Sequence, residues 1–304
     1  MRVASRRSPL ARRQAELFAE ALRRVDPDVA VRYVTVETEG DIRQDAALSR
    51  IGGKGVFTQE IERMLRAGEA DVAVHSLKDL PTALAPGLRL GALLPREDPR
   101  DALVAQPGRT LGNLPYGARV GTSSPRRRAQ LLHLRPDLQV LELRGNVGTR
   151  LARLEGGAYD ALVMAAAGLL RDGRGEAIAD YLAPDLMLGA PAQGIIAVEV
   201  AQGRRDILPL LRRLSHRPTE RAALCERTLL EVLGSGCAVP IGALCVQEGR
   251  EITLTAGVFS PDGRTALRAT VRGRHARDLG RQVAEELLRG GAGLILGEAG
   301  HDAR

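Results

Sequence analysis

The chain has 304 residues, of which 44% are hydrophobic and 27% charged, a balance typical of a folded water-soluble protein. Its net charge of +7 indicates an anionic partner. Aromatic residues make up only 2% of the chain and the arginines are scattered along it, so a nucleic acid is disfavoured and small carboxylates or phosphates are favoured. No segment is long enough to span a membrane, no secretory leader is evident and the three cysteines suggest no disulfide framework, so we expect a cytoplasmic protein.

Strand and helix patterns alternate over the first two-thirds of the chain, which favours an α/β fold with mostly parallel, mixed sheets. Ser8 and Pro9 mark one helix start, as N-cap and first-turn residue. The first lobe is predicted to contain strand Arg2–Ser5, this helix, strand Val29–Val36, helix Thr58–Ala67 and strands Asp71–His75 and Leu88–Leu94. The second lobe is predicted to contain strand Arg119–Gly121, helix Pro125–Leu134, strand Gln139–Leu143, helix Val147–Leu154 and strand Ala161–Met164.

The apolar segment Ile195–Val200 is expected to return to the first sheet, so that two lobes flank a cleft. After Ser215 the pattern changes to a small α+β domain with a three-stranded antiparallel sheet. Its predicted elements are helix Thr219–Leu233, strands Ala243–Gln247, Ile252–Phe259 and Thr265–Gly273, and helix Ala276–Leu288, before a glycine-rich tail expected to be loose. We therefore predict three domains, formed by residues 1–95 with 190–212, residues 96–189, and residues 213–304.

Lysine is almost absent from this basic chain, which has 42 arginines and only two lysines, Lys54 and Lys78. Lysine is a compact charge, whereas arginine is a wide planar fork. We therefore expect both positions to reject a guanidinium on steric grounds; biased composition with two accidental lysines is the alternative. The glycines around Lys54 do not form a nucleotide loop, because Gly55 stands where serine or threonine would hold magnesium.

Two basic loops follow neighbouring strands of the predicted second lobe. Thr122–Arg128 opens a helix after one strand, and Arg144–Arg150 repeats the arrangement after the next. Backbone N–H groups, hydroxyls and arginines converge in such loops, and this combination binds carboxylate or phosphate. One loop alone could be a capped surface helix, but a pair at neighbouring strand ends indicates an anion site.

Asp79 is the strongest candidate for a catalytic carboxylate, because it follows the buried strand Asp71–His75 and should lie at the carboxyl edge of the sheet. A simple surface pair with Lys78 is the alternative interpretation. His75 could act as a base, although a histidine that ends a buried strand is more often a core residue.

Cys237 is the most distinctive thiol, since the glycines of the loop Gly234–Gly236 leave its sulfur accessible to a ligand. An unreactive loop cysteine is the alternative interpretation, and this loop taken alone favours it. Cys225 and Cys245 occupy apolar positions of a helix and a strand and are predicted to be buried structural thiols. No cysteine or histidine stands at ligand spacing from Cys237, so we expect no metal site.

The chain resembles the hydroxymethylbilane synthase family, also called the porphobilinogen deaminases. The matching segments follow the family's order and span nearly the whole chain: Ser5–Ala11, Gly52–Phe57, His75–Thr82, Gly121–Arg127, Leu143–Arg150, Ala166–Arg171, Pro191–Gly194 and Gly236–Gly242. The resemblance implies a cytoplasmic, monomeric transferase of tetrapyrrole (porphyrin, heme) biosynthesis with two lobes like those of periplasmic binding proteins. Such an enzyme joins four porphobilinogen molecules head to tail, releasing ammonia at each step and finally hydroxymethylbilane by hydrolysis.

The same resemblance implies a dipyrromethane cofactor held by a thioether to Cys237. It also implies that Asp79 is the catalytic aspartate, which would stabilise positive charge on the pyrrole as ammonia leaves. The other positions that match cofactor contacts are Ser8, Lys78, Thr122, Ser124, Arg126, Arg127 and Arg144. The positions that match substrate contacts are Arg6, Gln14, Lys54, Arg150, Arg171 and Gln193, while Asp45 and Phe57 match a loop that closes over the site.

Arginine forks suit this chemistry, because each pyrrole unit adds an acetate and a propionate to the growing chain. Pro125 replaces the family's usual aliphatic residue, which a first helical turn tolerates, and Arg128 adds an arginine whose direction the sequence leaves open. Two other classes also remain open: a non-catalytic two-lobed anion-binding protein, which needs no accessible cysteine or third domain, and a nucleic-acid-binding module.

Overall fold

The computed structural model describes residues 1–36, 58–234 and 239–301. Its strands are β1 (Arg2–Arg6), β2 (Arg32–Val36), β3 (Val72–Ser76), β4 (Leu88–Leu93), β5 (Asp101–Val104), β6 (Arg119–Gly121), β7 (Gln139–Leu141), β8 (Ala161–Ala165), β9 (Ile178–Leu182), β10 (Ile196–Ala201), β11 (Ile241–Glu248), β12 (Glu251–Phe259) and β13 (Ala266–Gly273). Its α-helices are α1 (Pro9–Val25), α2 (Gln59–Arg66), α3 (Pro125–Leu134), α4 (Val147–Glu155), α5 (Ala166–Arg171), α6 (Leu208–Leu214), α7 (Arg217–Val232), α8 (Ala276–Arg289) and α9 (Ala292–His301). Short 3₁₀ turns add Leu77–Asp79, Leu111–Asn113 and Gly175–Ala177.

Contacts within the chain group these elements into two units, Met1–Glu97 with Gly194–Glu220 and Asp98–Gln193 with Arg221–Arg304. The first unit holds a five-stranded sheet in the order β2-β1-β3-β10-β4. β1 pairs in parallel with β2 and β3, whereas β10 runs antiparallel to β3 and β4. The predicted return of the chain to the first sheet is therefore confirmed.

Local sequence signals explain how α1 covers this sheet. The Ser8 hydroxyl accepts a hydrogen bond from the N–H of Ala11, and proline occupies the first turn, so the helix begins at Pro9. Phe18 and Leu22 recur at helical spacing and pack into the core with strand residues of β1, β3 and β10. This packing places the first turns of α1 beside the carboxyl ends of β1 and β3.

The second unit repeats the mixed arrangement in a sheet of order β7-β6-β8-β5-β9. β6 pairs in parallel with β7 and β8, and β5 runs antiparallel to β8 and β9. Strands β5 and β9 were not predicted from the sequence. All four residues of β5 are buried, so the strand shows no alternation of polar and apolar residues that would reveal it. The predicted α/β class with mixed sheets is confirmed, although parallel and antiparallel pairings are equally represented.

The predicted C-terminal sheet is confirmed as the antiparallel order β11-β12-β13. α7, α8 and α9 cover it around a core that includes Leu229, Leu254 and Val283. The expectation of a loose tail after Gly290 is wrong, because α9 forms there and buries Ala292 and Ile295 in the same core. The glycines of this segment suggested a loose tail, although its apolar residues form one face of a helix. No helix within the described ranges is long and apolar enough to cross a membrane.

Candidate active site

A cavity of about 90 Å³ opens beside Asp79 in the first unit. β3 ends at Ser76 and continues into the 3₁₀ turn Leu77–Asp79, which brings Asp79 to the carboxyl edge of the sheet. The polar side chains that line the cavity belong to Arg6, Ser8, Gln14, Thr58, His75, Ser76 and Asp79. Four predicted site residues, Arg6, Ser8, Gln14 and Asp79, are thus brought together. We call this space the Asp79 cavity.

Parallel pairing of β1 with β3 explains this convergence, because the carboxyl ends of parallel strands share one edge of a sheet. Arg6 is the last residue of β1, Ser8 caps α1, and Gln14 lies on the buried face of the same helix. The Gln14 amide donates to the Ser76 hydroxyl at 2.8 Å, which ties the helix to the end of β3. Hydroxyl, amide and guanidinium groups therefore face one small space.

The side chain of Asp79 is exposed and makes no hydrogen bond or ion pair to any residue in the described ranges. Its neighbour Lys78 is half-buried. An unpaired carboxylate beside an arginine and several hydrogen-bonding groups can meet a cationic centre or an N–H donor of a ligand. The position of Asp79 agrees with the expectation from the sequence.

In the second unit, Arg126 and Arg127 lie at the start of α3 and share one carboxylate. Arg126 Nη1 donates to Asp101 Oδ2 at 2.6 Å, and Arg127 donates from Nε and Nη2 to Asp101 Oδ1 at 3.0 and 2.8 Å. All three side chains are buried, Asp101 completely. We call these three residues the Asp101 cluster. Asp101 was not among the predicted site residues, because it stands at the start of the unpredicted strand β5.

Burial alone would raise the pKa of Asp101, but the charges of Arg126 and Arg127 outweigh it and hold that pKa well below its usual range. Burial lowers the pKa of Arg126, although the charge of Asp101 opposes that shift. Burial also lowers the pKa of the nearby Arg150 to about 10, and the charges of Arg127 and Arg153 add to this effect. Positive charge is thus crowded around Arg127 and Arg150, which suits an anionic ligand.

Gln193, predicted to contact substrate, is completely buried beside the Asp101 cluster. Its amide donates to Asp101 Oδ1 and to the Pro99 carbonyl, both at 2.9 Å. Just before it, Ala192 adopts a left-handed φ of 65°, and its N–H donates to the buried carboxylate of Glu226. These contacts support a role for Gln193 in holding Asp101 in place.

The remaining predicted residues of the second unit occupy the two basic loops and their surroundings. Thr122 is buried, and its hydroxyl accepts from the N–H of Ser124, the N-cap of α3. Arg144 is half-buried and donates to Glu142 at 2.9 Å, and Arg171 is half-buried at the end of α5. Arg128 is exposed and donates to the Val140 carbonyl at 2.7 Å. The predicted site residues Asp45, Lys54, Phe57 and Cys237 lie outside the described residues.

The other two thiols are buried, as the sequence predicted. A hydrogen bond with Cys245, followed by burial, raises the pKa of Cys225 far above its usual range, so this thiol is unreactive at neutral pH. No group of three histidine, cysteine, aspartate or glutamate side chains among the residues described is arranged to hold a metal ion.

Family models match both parts of the chain. The model described as "Porphobilinogen deaminase, dipyromethane cofactor binding domain" covers residues 1–209, and "Porphobilinogen deaminase, C-terminal domain" covers residues 221–289. The chain belongs to the porphobilinogen deaminase family. The porphobilinogen deaminase of Moorella thermoacetica is 47% identical over 98% of this chain and 96% of its own length, and that of Roseiflexus castenholzii is 48% identical over 97% and 98%.

Among solved structures, the VFT2 domain of Bordetella pertussis BvgS is similar over 73% of this chain and 91% of that one, with 18% identity and a TM-score of 0.42. A likeness this loose supports no conclusion, and the fold stands on the sheets described above.

The residues of the second unit fit the dipyrromethane cofactor of this family. The cofactor is an anion, and the guanidiniums of Arg127 and Arg150 lie close enough that the charge of Arg127 helps to lower the pKa of Arg150. Hydroxyl groups of Thr122 and Ser124 stand at the start of α3, where the positive end of a helix also favours an anion. The donor set therefore matches the carboxylates that each pyrrole carries.

Proposed function

We propose that this protein is a hydroxymethylbilane synthase, a transferase of porphyrin and heme biosynthesis. It joins four porphobilinogen molecules head to tail, releases ammonia at each step and frees hydroxymethylbilane by hydrolysis. The observation that carries this proposal is the Asp79 cavity, where an exposed, unpaired carboxylate shares a small space with Arg6, Ser8 and Gln14. Family membership supports the same reaction.

Asp79 acts on the charge that the reaction creates. When the amine leaves porphobilinogen, the pyrrole becomes electron-poor, and a carboxylate held close by can accept its N–H and stabilise the positive charge. Because Asp79 is exposed and has no ion-pair partner in the described residues, its carboxylate is available to the ligand. Such a preorganised contact typically contributes a factor of roughly 10²–10³ in rate.

The cationic and hydrogen-bonding residues hold the carboxylates of the substrate and of the growing chain. In the first unit, Arg6 supplies the positive charge of the Asp79 cavity, and Gln14 supplies a buried amide. The substrate contacts that we propose are Arg6, Gln14, Lys54, Arg150 and Arg171. Gln193 acts through Asp101 in this proposal, because its amide is already engaged there.

Cys237 carries the dipyrromethane through a thioether in this proposal. The residues that would hold it are Ser8, Lys78, Thr122, Ser124, Arg126, Arg127 and Arg144. When bound, it supplies the pyrrole carbon to which the first substrate is joined. Burial of Arg126 and Arg127 against Asp101 fixes their guanidiniums before any ligand arrives, which reduces the ordering cost of binding.

The wider organisation that we propose follows the family. Three domains divide the chain into residues 1–95 with 190–212, residues 96–189 and residues 213–304, and Asp45 and Phe57 belong to a loop that closes over the site. We propose a cytoplasmic monomer whose partners are porphobilinogen and the growing oligopyrrole, with no nucleic-acid or membrane partner.

The intact mass of the purified protein tests this function. Protein from cells that make porphobilinogen should exceed its sequence mass by two linked pyrrole units, and Cys237→Ser should lack the excess. Purified protein given porphobilinogen should then release bilane. An unmodified mass together with absence of bilane would favour the alternative, a non-catalytic anion-binding protein of two lobes.

A further inference from the structure

The outer edge of the C-terminal sheet is closed by groups from outside that sheet. β11 stands at the end of the order β11-β12-β13 and is therefore an edge strand. The N–H of Ala243 donates to the Gly189 carbonyl at 3.0 Å, and the N–H of Cys245 donates to Oε1 of Glu226 at 2.7 Å. An open strand edge presents unpaired N–H groups, so a chain segment and one helix carboxylate together satisfy this edge.

The chain segment at this edge, Leu188–Gln193, also contacts the helix that carries the arginines, and we call it the joint segment. The Leu188 carbonyl accepts from Arg126 and, at 3.0 Å, from the amide of Gln130, while the Leu188 N–H donates to Gln130 at 2.8 Å. A Cβ at Gly242 would lie only 2.5 Å from Cβ of Leu188, so glycine permits the close approach of β11. The joint segment is thus held between β11 and α3.

Glu226 holds the joint segment from α7. Its side chain is completely buried, and its Oε2 accepts from the N–H of Ala192 while Oε1 accepts from Cys245. Ala192 is the one residue other than glycine in the described ranges with a positive φ, 65°. Alanine adopts this left-handed conformation only where surrounding contacts impose it. The carboxylate of Glu226 supplies such a contact.

The conformation of Ala192 sets the direction of the next side chain. Nε2 of Gln193 donates to Oδ1 of Asp101 at 2.9 Å, and the same oxygen accepts from Nε and Nη2 of Arg127. The other oxygen of Asp101 accepts from Arg126 at 2.6 Å. A line of buried hydrogen bonds therefore leads from the α7 carboxylate to both guanidiniums of the Asp101 cluster.

We propose that Glu226 is a positioning residue for the arginines of the anion site. By holding Ala192 in its left-handed conformation, Glu226 keeps the Gln193 amide on Asp101 and so fixes the two guanidiniums. This inference rests on the proposed function for the ligand that the arginines bind and for the reaction that they serve. The chain of contacts stands independently of turnover.

The first experiment observes a guanidinium directly. In ¹H–¹⁵N spectra of the protein labelled with ¹⁵N-arginine, the Nε–H signal of Arg127 is assigned by its absence from Arg127→Lys. Glu226→Gln keeps the size of the side chain but turns an NH₂ donor toward one of two backbone N–H groups. We expect the Arg127 signal to shift in Glu226→Gln and its hydrogen exchange to become about tenfold faster, as the loss of one hydrogen bond predicts. An unchanged signal would overturn the proposal.

Thr228→Val is the matched control on the same helix. Thr228 is buried, and its hydroxyl donates to the Leu224 carbonyl at 2.7 Å, within α7. Its replacement weakens the C-terminal domain without breaking a hydrogen bond to the joint segment. Both variants should lower the unfolding temperature, whereas only Glu226→Gln should change the Arg127 signal. An equal change in both variants would show that general loosening of the domain is the cause.

Turnover tests the functional consequence. Per attached cofactor, as counted by intact mass, the kcat for bilane formation should fall about tenfold in Glu226→Gln and stay unchanged in Thr228→Val, because small misplacements of positioning groups are costly in rate. Gln193→Leu removes the next contact in the line. The double variant should therefore be no slower than Gln193→Leu alone. Losses that multiply in the double variant, or an unchanged kcat in Glu226→Gln, would contradict the proposal.

The two proposals fail separately. If the wild-type protein made no bilane, the proposed function would fail, while the Arg127 signal would still decide the role of Glu226. If Glu226→Gln did not fold, amide hydrogen exchange of the wild-type protein would decide it. The N–H of Ala192 should be protected by about a hundredfold, like that of Cys245, because both donate to one buried carboxylate. Rapid exchange of the Ala192 N–H would overturn the proposal.

Discussion

The two units use a carboxylate in opposite ways. Asp79 is exposed and has no ion-pair partner in the described residues, whereas Asp101 is completely buried and accepts hydrogen bonds from Arg126 and Arg127. The first arrangement leaves a negative charge available to a ligand, and the second uses it to fix two guanidiniums. Burial and pairing therefore suit Asp79 to the proposed chemistry and Asp101 to a structural role.

Removal of the buried charge should have the largest effect. Asp101→Asn keeps the shape of the side chain but leaves Arg126 and Arg127 as buried, uncompensated charges, which should reduce the free energy of unfolding by about 3–5 kcal/mol. Urea unfolding at neutral pH measures this loss. Equal stability of variant and wild type would show that the Asp101 cluster does not stabilise the fold.

The effect of Asp101→Asn should depend on pH. The pKa of Asp101 is lowered in the folded protein, so its ion pairs stabilise the fold above the unfolded value of about 3.9. That contribution is lost progressively as the pH falls below this value. Unfolding curves of wild type and variant should therefore converge in acid, and a constant difference down to low pH would contradict this origin.

Asp79→Asn should have the opposite consequences, a large loss of activity with little loss of stability. We expect the rate of bilane formation to fall by a factor of roughly 10²–10³, because one electrostatic contact to the reacting pyrrole is lost. The free energy of unfolding should change by less than about 0.5 kcal/mol, since the side chain is exposed. Intact mass serves as the control for cofactor attachment. Near-normal bilane production would move the catalytic role to another group.

Lys78→Arg tests whether the space beside Asp79 excludes a guanidinium. Lys78 is half-buried in the 3₁₀ turn, and the wider planar fork should disturb that turn and lower kcat/KM about tenfold. Lys54→Arg extends the same test to the other lysine. Full activity in either variant would show that steric exclusion is the wrong explanation for that lysine.

Arg128→Ala should have the smallest effect and serves as the matched control for the buried arginines. Arg128 is exposed, and its hydrogen bond to the Val140 carbonyl can be replaced by water. We expect the free energy of unfolding to change by less than about 0.5 kcal/mol and the KM for porphobilinogen to stay the same. A clear rise in KM would place Arg128 among the anion-binding arginines.

Local signals in the sequence predicted most of the elements and part of the site. The pairs Ser8-Pro9 and Ser124-Pro125 mark helix starts that the structure confirms. The position of Asp79 after a buried strand was sufficient to place it at the sheet edge. The strand β5 was missed because it is buried on both faces and shows no alternation, and the tail helix α9 was missed because its glycines suggested a loose segment.

The sequence by itself determined the family, the α/β class and the residue types that its chemistry requires, because helix caps and motif segments are local properties of the chain. Only the tertiary structure revealed that Asp101 pairs with both Arg126 and Arg127 and that Glu199 lies beside His75. These contacts join residues far apart in the chain. Strand register and burial decide them, and neither can be read from the neighbours of a residue in the sequence.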